Sequence, residues 1–313
     1  MDIVPPPGTE LPFAVAPDWL ALRRRANTLL RNPQADDFLD AIEQLHREAG
    51  ALLDTAPDRA LLVLVHTASH DKAQYSANHA LLVMAVCQLA ATKVLAWSEA
   101  QRHALTRAAL TMNLAMTALQ DSLAVGEDPP TAAERKAIAG HAAAAAALLR
   151  NKGVTDALWL EAIEHHHDRV PGPLAGRTPG MQLARLLQRA DHFAARLSPR
   201  RSRKALSAAA AARGAYLDEN GKPDEAGMAL VKAIGIYPPG TLVELASRET
   251  GAVVRRGSHA GQPVVAVVAG RNGLLIDVPL RRDSAEQAFA IRHSMAPQEL
   301  PMRVALSGLL QLA

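Results

Sequence analysis

The chain has 313 residues, 49% hydrophobic and 21% charged, the balance of a globular protein long enough to bury one large core or two smaller ones. A formal net charge of +3 with 3% aromatic residues suits an anionic ligand but argues against a nucleic-acid partner, which needs a concentrated basic patch or stacking aromatics. A single cysteine, Cys87, excludes an intrachain disulfide framework and fits a reducing compartment.

The first 15 or so residues are Pro-rich, lack the basic-then-apolar pattern of a secretion signal and read as extended chain. No stretch approaches the roughly 20 apolar residues of a membrane span, so the sequence predicts a cytoplasmic protein without a membrane partner. A 3.6-residue period then predicts helices near 17–31, 36–55, 58–70, 76–93, 98–124, 131–151, 155–168, 180–197, 203–214 and 224–234. Cys87 falls in the apolar run Leu81–Cys87 and reads as a packed core thiol. Ser98 with Gln101, and Thr131 with Glu134, fit the capping box. The Ala142–Ala147 run simply continues a helix, alanine being the best helix former.

After Tyr237-Pro238-Pro239-Gly240 the character changes. Leu242–Leu245, Ala252–Arg256, Val264–Val268 and Leu274–Val278 are short β-prone runs separated by turn residues. A helix is expected over 284–292, with an apolar segment closing the chain. The expected fold class is mainly α, a helical bundle with a small C-terminal α+β appendage of antiparallel strands. Three parts are expected: an N-terminal helical segment over 1–60 that packs on the bundle, the main helical domain over 61–236, and the extension over 237–313.

Histidine placement carries the chemistry. His165, His166 and His167 end one predicted helix and are followed by Asp168 and Arg169, while His79, His141 and Asp191 lie on three others. Imidazole and carboxylate suit divalent zinc, iron and manganese, and bundles build such sites from facing helices. Any one of these histidines also reads as a hydrogen-bonded core or surface residue, and the triplet as a solvated helix end favoured by the helix dipole. Their combination over four helices points to metal.

The order of these residues resembles the HD-GYP family of metal-dependent cyclic-dinucleotide phosphodiesterases, within the HD superfamily. His79 in YSANHALLV matches the family's first histidine, and His141 in ERKAIAGHAAAAAALL its lone histidine. His166 and His167 in AIEHHHDR match the His-His pair, and Asp191 in LARLLQRADHFAARLS the late aspartate. Asp168 and Arg169 stand where the family usually has Glu-Arg. PRRSRKALS and IGIYPPGTLVEL resemble the downstream segments, so the likeness runs from about Ala60 to Arg256. It implies an HD-domain bundle, a metal centre and cyclic di-GMP or a related nucleotide as ligand.

The family's His-Asp dyad is replaced. Alignment of AALTMNLAMTALQD places Met112 and Asn113 at the dyad and Met116 at the following lysine. A neutral amide cannot bridge two cations as a carboxylate does, and ions roughly 3.5–4 Å apart need such an anionic bridge. A thioether is a poor ligand for hard divalent ions. Losing the lysine removes a charge from the phosphate. The Gly-Tyr-Pro loop is reduced to Val170-Pro171-Gly172-Pro173-Leu174, and Tyr75 stands where an extra acidic ligand would support a third metal. What the resemblance leaves is His141, His166, His167 and Asn113 around one ion (iron, manganese or zinc), with His79 and Asp191 on the far side and no stable two-metal centre.

Three readings follow. The first is a catalytically impaired HD-GYP-like module of cyclic di-GMP signalling, which binds nucleotide or a partner signalling protein. Arg169, Arg200, Arg201, Arg203 and Lys204 are then candidate phosphate contacts, although the 200–204 cluster reads somewhat better as a solvated basic turn. The second is an active phosphodiesterase using a metal-activated water. The third is a phosphohydrolase acting on another nucleotide, because a fold does not choose its substrate. Met112 and Met116 favour the first, as apolar filling of a former metal site.

Overall fold

The computed structural model describes residues 15–199, 204–259, 261–300 and 304–313. The chain is mainly α. Helices α1 (Val15–Arg31), α2 (Phe38–Thr55) and α3 (Pro57–His70) lead into α4 (Tyr75–Lys93). In α4 nearly every residue from Tyr75 to Ala91 is buried. A helix apolar on all sides belongs at the centre of a bundle, and α4 packs against α1, α2 and α3 as well as elements downstream. Cys87 is fully buried here, and burial pushes its thiol far above the ordinary range, as expected of a core thiol.

The helix expected over 98–124 is broken. α5 (Glu99–Thr111) gives way to a 3₁₀ turn, Leu114–Met116, before α6 (Thr117–Val125). Thr111 and Thr117 return their hydroxyls to the carbonyls of Arg107 and Leu114, local bonds that tighten and bend a helix. Met112 and Asn113 therefore sit at the break and not on one helical face with Met116. α7 (Ala132–Asn151) follows, and both α5 and α7 begin with the expected capping boxes at Ser98–Gln101 and Thr131–Glu134. α8 (Ala157–His165) stops three residues short of its expected end. The bundle closes with α9 (Pro179–Leu197), α10 (Ala208–Tyr216) and α11 (Glu225–Ile234). Both α9 and α11 pack on α4.

Five antiparallel strands form one sheet in the order β4-β3-β2-β1-β5. They are β1 (Leu242–Leu245), β2 (Thr250–Arg255), β3 (Val264–Ala269), β4 (Leu275–Asp283) and β5 (Ile291–Met295). The helix expected over 284–292 is instead a 3₁₀ turn, Gln287–Phe289, leading into β5. The gain is an antiparallel partner for β1, with Val243 opposite Ser294, and this pairing overrides local helix propensity. A short helix, α12 (Leu306–Leu310), packs on α3 and the sheet. The Pro-Pro-Gly turn holds the sheet against α3: Gly240 has φ +96°, and a Cβ there would lie 2.8 Å from Val65. Asp58 of α3 pairs with Arg256 just beyond β2. No helix among the described residues is long and apolar enough to cross a membrane.

Candidate metal site

The end of α8 and the middle of α7 bring three imidazoles together. His166 caps α8 and His167 follows in the turn. Their rings lie 4.0 Å apart between centroids, and His141 of α7 stands 5.2 and 4.9 Å from them. One ligand nitrogen from each of the three lies within 4.8 Å of the others. His165 is turned aside to the exposed carboxylate of Asp168 at 2.8 Å.

Hydrogen bonding fixes the tautomers. His141 donates through Nδ1 to the Ile138 carbonyl and His166 through Nδ1 to the Ile163 carbonyl, both at 2.6 Å. A carbonyl only accepts, so each neutral ring carries its proton on Nδ1 and a lone pair on Nε2. The two Nε2 atoms are 3.3 Å apart. Burial, reinforced by the charge of His167 against that of Asp191, takes His166 down to about 3. Burial likewise lowers His141. Two buried lone pairs thus face each other without a proton to share, and a cation between them satisfies both. Anchoring of a ligating ring by a backbone carbonyl is also how metal-binding histidines are commonly oriented. The residues present fit a divalent ion.

His79 of α4 and Asp191 of α9 form a buried pair, and the Asp191 charge acts on His141 and His166. His79 Nε2 is 2.7 Å from Asp191 Oδ1. Burial alone would raise the Asp191 carboxyl, yet the hydrogen bond from His79 and the electrostatic influence of the neighbouring imidazoles hold it far below the usual range. The other nitrogen of His79, Nδ1, is buried with no hydrogen-bond partner among the described residues, and its ring stacks on Tyr75. Asn113 opens the 3₁₀ turn that packs on α7. It is half-buried, and its side chain has no hydrogen-bond partner among the described residues. Met112 is 1% exposed and belongs to the hydrophobic core.

Beside the triad, a cleft of about 240 Å³ is lined by His167, Arg169, Arg189, His192, Arg196 and Gly214, and also by Asp218 and Glu219. Burial lowers His192, and the charges of Arg189, Arg196 and His167 push the same way against Asp191. Of the expected phosphate contacts, Arg169 lines this cleft. Lys204 is exposed and is not among its lining residues, while Arg200 and Arg203, with Arg201, lie outside the described residues. His192, Arg196 and Gly214 escaped the sequence reading. The signal for the first two was a polar stripe along α9, at Arg185, Arg189, His192 and Arg196.

No protein-family model matches the sequence, and no curated protein matches it. Among solved structures, the chain is similar to an HDG"Y"P protein from Bdellovibrio bacteriovorus, with a TM-score of 0.53 and 17% identity over 72% of this chain and 73% of that one. A likeness at this identity is one of fold. The chain shares a helical fold with that protein, in line with the mainly α class expected, and carries the small antiparallel sheet at its C-terminal end.

Proposed function

We propose that this chain is a divergent HD-GYP protein of cyclic-dinucleotide signalling in the cytoplasm, with one divalent ion and little hydrolytic turnover, acting by binding nucleotide or a signalling protein. The reading is supported above all by three imidazoles converging on one centre, while an amide, Asn113, opens the turn packed on α7 at the position where the family has a carboxylate. His141, His166 and His167 would hold the ion, which supplies Lewis acidity toward a phosphate oxygen. His79 and Asp191 would orient the far wall. Each engages the other with a donor atom that a second ion would need.

The test is elemental analysis of protein purified without chelator or metal-affinity tag, followed by calorimetry and a hydrolysis assay with cyclic di-GMP. The expected result is about one iron, manganese or zinc ion per chain, loss of that ion in His166→Ala, and binding without appreciable linear product. Two ions per chain with sustained turnover would replace this reading by that of an active phosphodiesterase. Turnover of another nucleotide alone would indicate a different phosphohydrolase of the same fold.

A further inference from the structure

We propose that the cleft beside the histidine triad is a phosphate subsite in which Arg196, seated over Gly214, and Arg169 supply the positive charge and His192 a hydrogen bond. The inference deepens the nucleotide-binding reading of the same site by naming where an oxyanion of the ligand is held.

Arg185, Arg189, His192 and Arg196 recur along α9 at spacings of four, three and four residues and so share one helical face. The N-terminal half of this stripe is neutralised. Arg185 bonds Asp224 at 2.6 Å and Glu219 at 2.8 Å, and Arg189 pairs with the same two carboxylates. The C-terminal half is not: among the described residues no carboxylate pairs with Arg196 or Arg169. The buried Nδ1 of His192 also has no partner there. The two acidic residues of the lining are already engaged, Glu219 by Arg185 and Arg189 and Asp218 by the backbone N–H groups of Asn220 and Lys222 at 2.8 Å each, and Arg169, Arg189 and Arg196 outnumber them. The cleft therefore retains a net positive field.

Gly214 makes the site a built one. A Cβ there would lie 1.6 Å from Arg196 Nη1 and 2.7 Å from its Cζ, so the guanidinium occupies space that only glycine leaves open. A fork seated in this way loses less freedom on binding an oxyanion. The volume, about 240 Å³, is below the roughly 300–1,000 Å³ of sites that enclose a whole small molecule. It suits one phosphate group of a larger ligand, and His167, shared between cleft and triad, sets the direction in which the rest of that ligand runs.

The test is calorimetric titration of the full chain with inorganic pyrophosphate, in metal-stripped and manganese-loaded forms, with metal content measured in parallel. Metal-stripped wild type is expected to bind. Arg196→Gln should weaken binding roughly 10-fold or more, the loss of a charge-assisted hydrogen bond, without changing metal content. Gly214→Ala, which displaces the same guanidinium, should weaken it similarly, and the double variant should be no weaker than either single one. Arg196→Lys, which keeps the charge but loses the guanidinium fork, should fall between wild type and Arg196→Gln. Absence of binding, or affinity unchanged in Arg196→Gln, overturns the subsite even if the triad binds metal. Arg196-dependent binding by a protein that takes up no metal leaves the subsite standing and removes the metal-centre reading instead.

Discussion

The pair of Nε2 lone pairs at 3.3 Å between His141 and His166 explains why these histidines are expected to bind a cation, because unsatisfied buried polar atoms are costly. At the same scale, the proposed limit of one ion rests on Asn113. Asn113→Asp restores an anionic oxygen, and the expected outcome is a rise in bound manganese above the wild-type value, read by elemental analysis, together with measurable cyclic di-GMP hydrolysis. No change in either would mean that residue 113 does not reach the centre. Asp224 is critical for another reason: it is 3% exposed, pairs with Arg185 and accepts the Gly227 N–H that starts α11. Asp224→Ala takes one of two carboxylates from the buried Arg185 guanidinium, Glu219 remaining, and removes a cap, so urea denaturation should register a loss of about 2–4 kcal/mol. His79, His141, His166, His167 and Asp191 were all legible in the sequence, since their order along the chain carries the motif. Arg196 was not. Its significance depends on a glycine 18 positions later, on another helix.

Among the elements, α4 is the axis of the bundle. Leu81 is fully buried in it, and Leu81→Ala should cost about 2–5 kcal/mol through lost transfer energy and the cavity left behind. The helices were readable from their apolar period and caps, as at Ser98 and Thr131. The break at 112–116 was not, because no proline or glycine marks it and its residues continue the helical pattern. The interruption shows only once the Thr111 and Thr117 hydroxyls are placed on nearby carbonyls. β5 was misread for the opposite reason: the 284–292 segment has a local helical pattern, but the open edge of β1 supplies a ladder that no local window contains.

At the scale of the whole molecule, acid should weaken the link between α9 and the segment joining α10 to α11. Burial alone would raise the Glu219 carboxyl, but the Arg185 hydrogen bond and the charges of Arg189 and Arg185 outweigh it and take it to about 2. A folded-state value below the ordinary 4.5 means that the contribution of Glu219 is complete above that pH and is lost as pH falls toward 2. Thermal melts between pH 6 and 2.5 should therefore show a steeper decline for wild type than for Glu219→Gln, and parallel curves would exclude this link. Periodicity, capping and the order of histidines along the chain determined the helical class and named the candidate ligands, because each signal is written within a few turns of one helix. The tertiary structure alone decided which imidazole nitrogens meet, that Asn113 stands at a break, and that Arg196 lines a cleft with no carboxylate paired to it among the described residues. Those outcomes depend on distances between helices, which the packing of α4, α7, α8, α9 and α10 sets and no stretch of sequence encodes by itself.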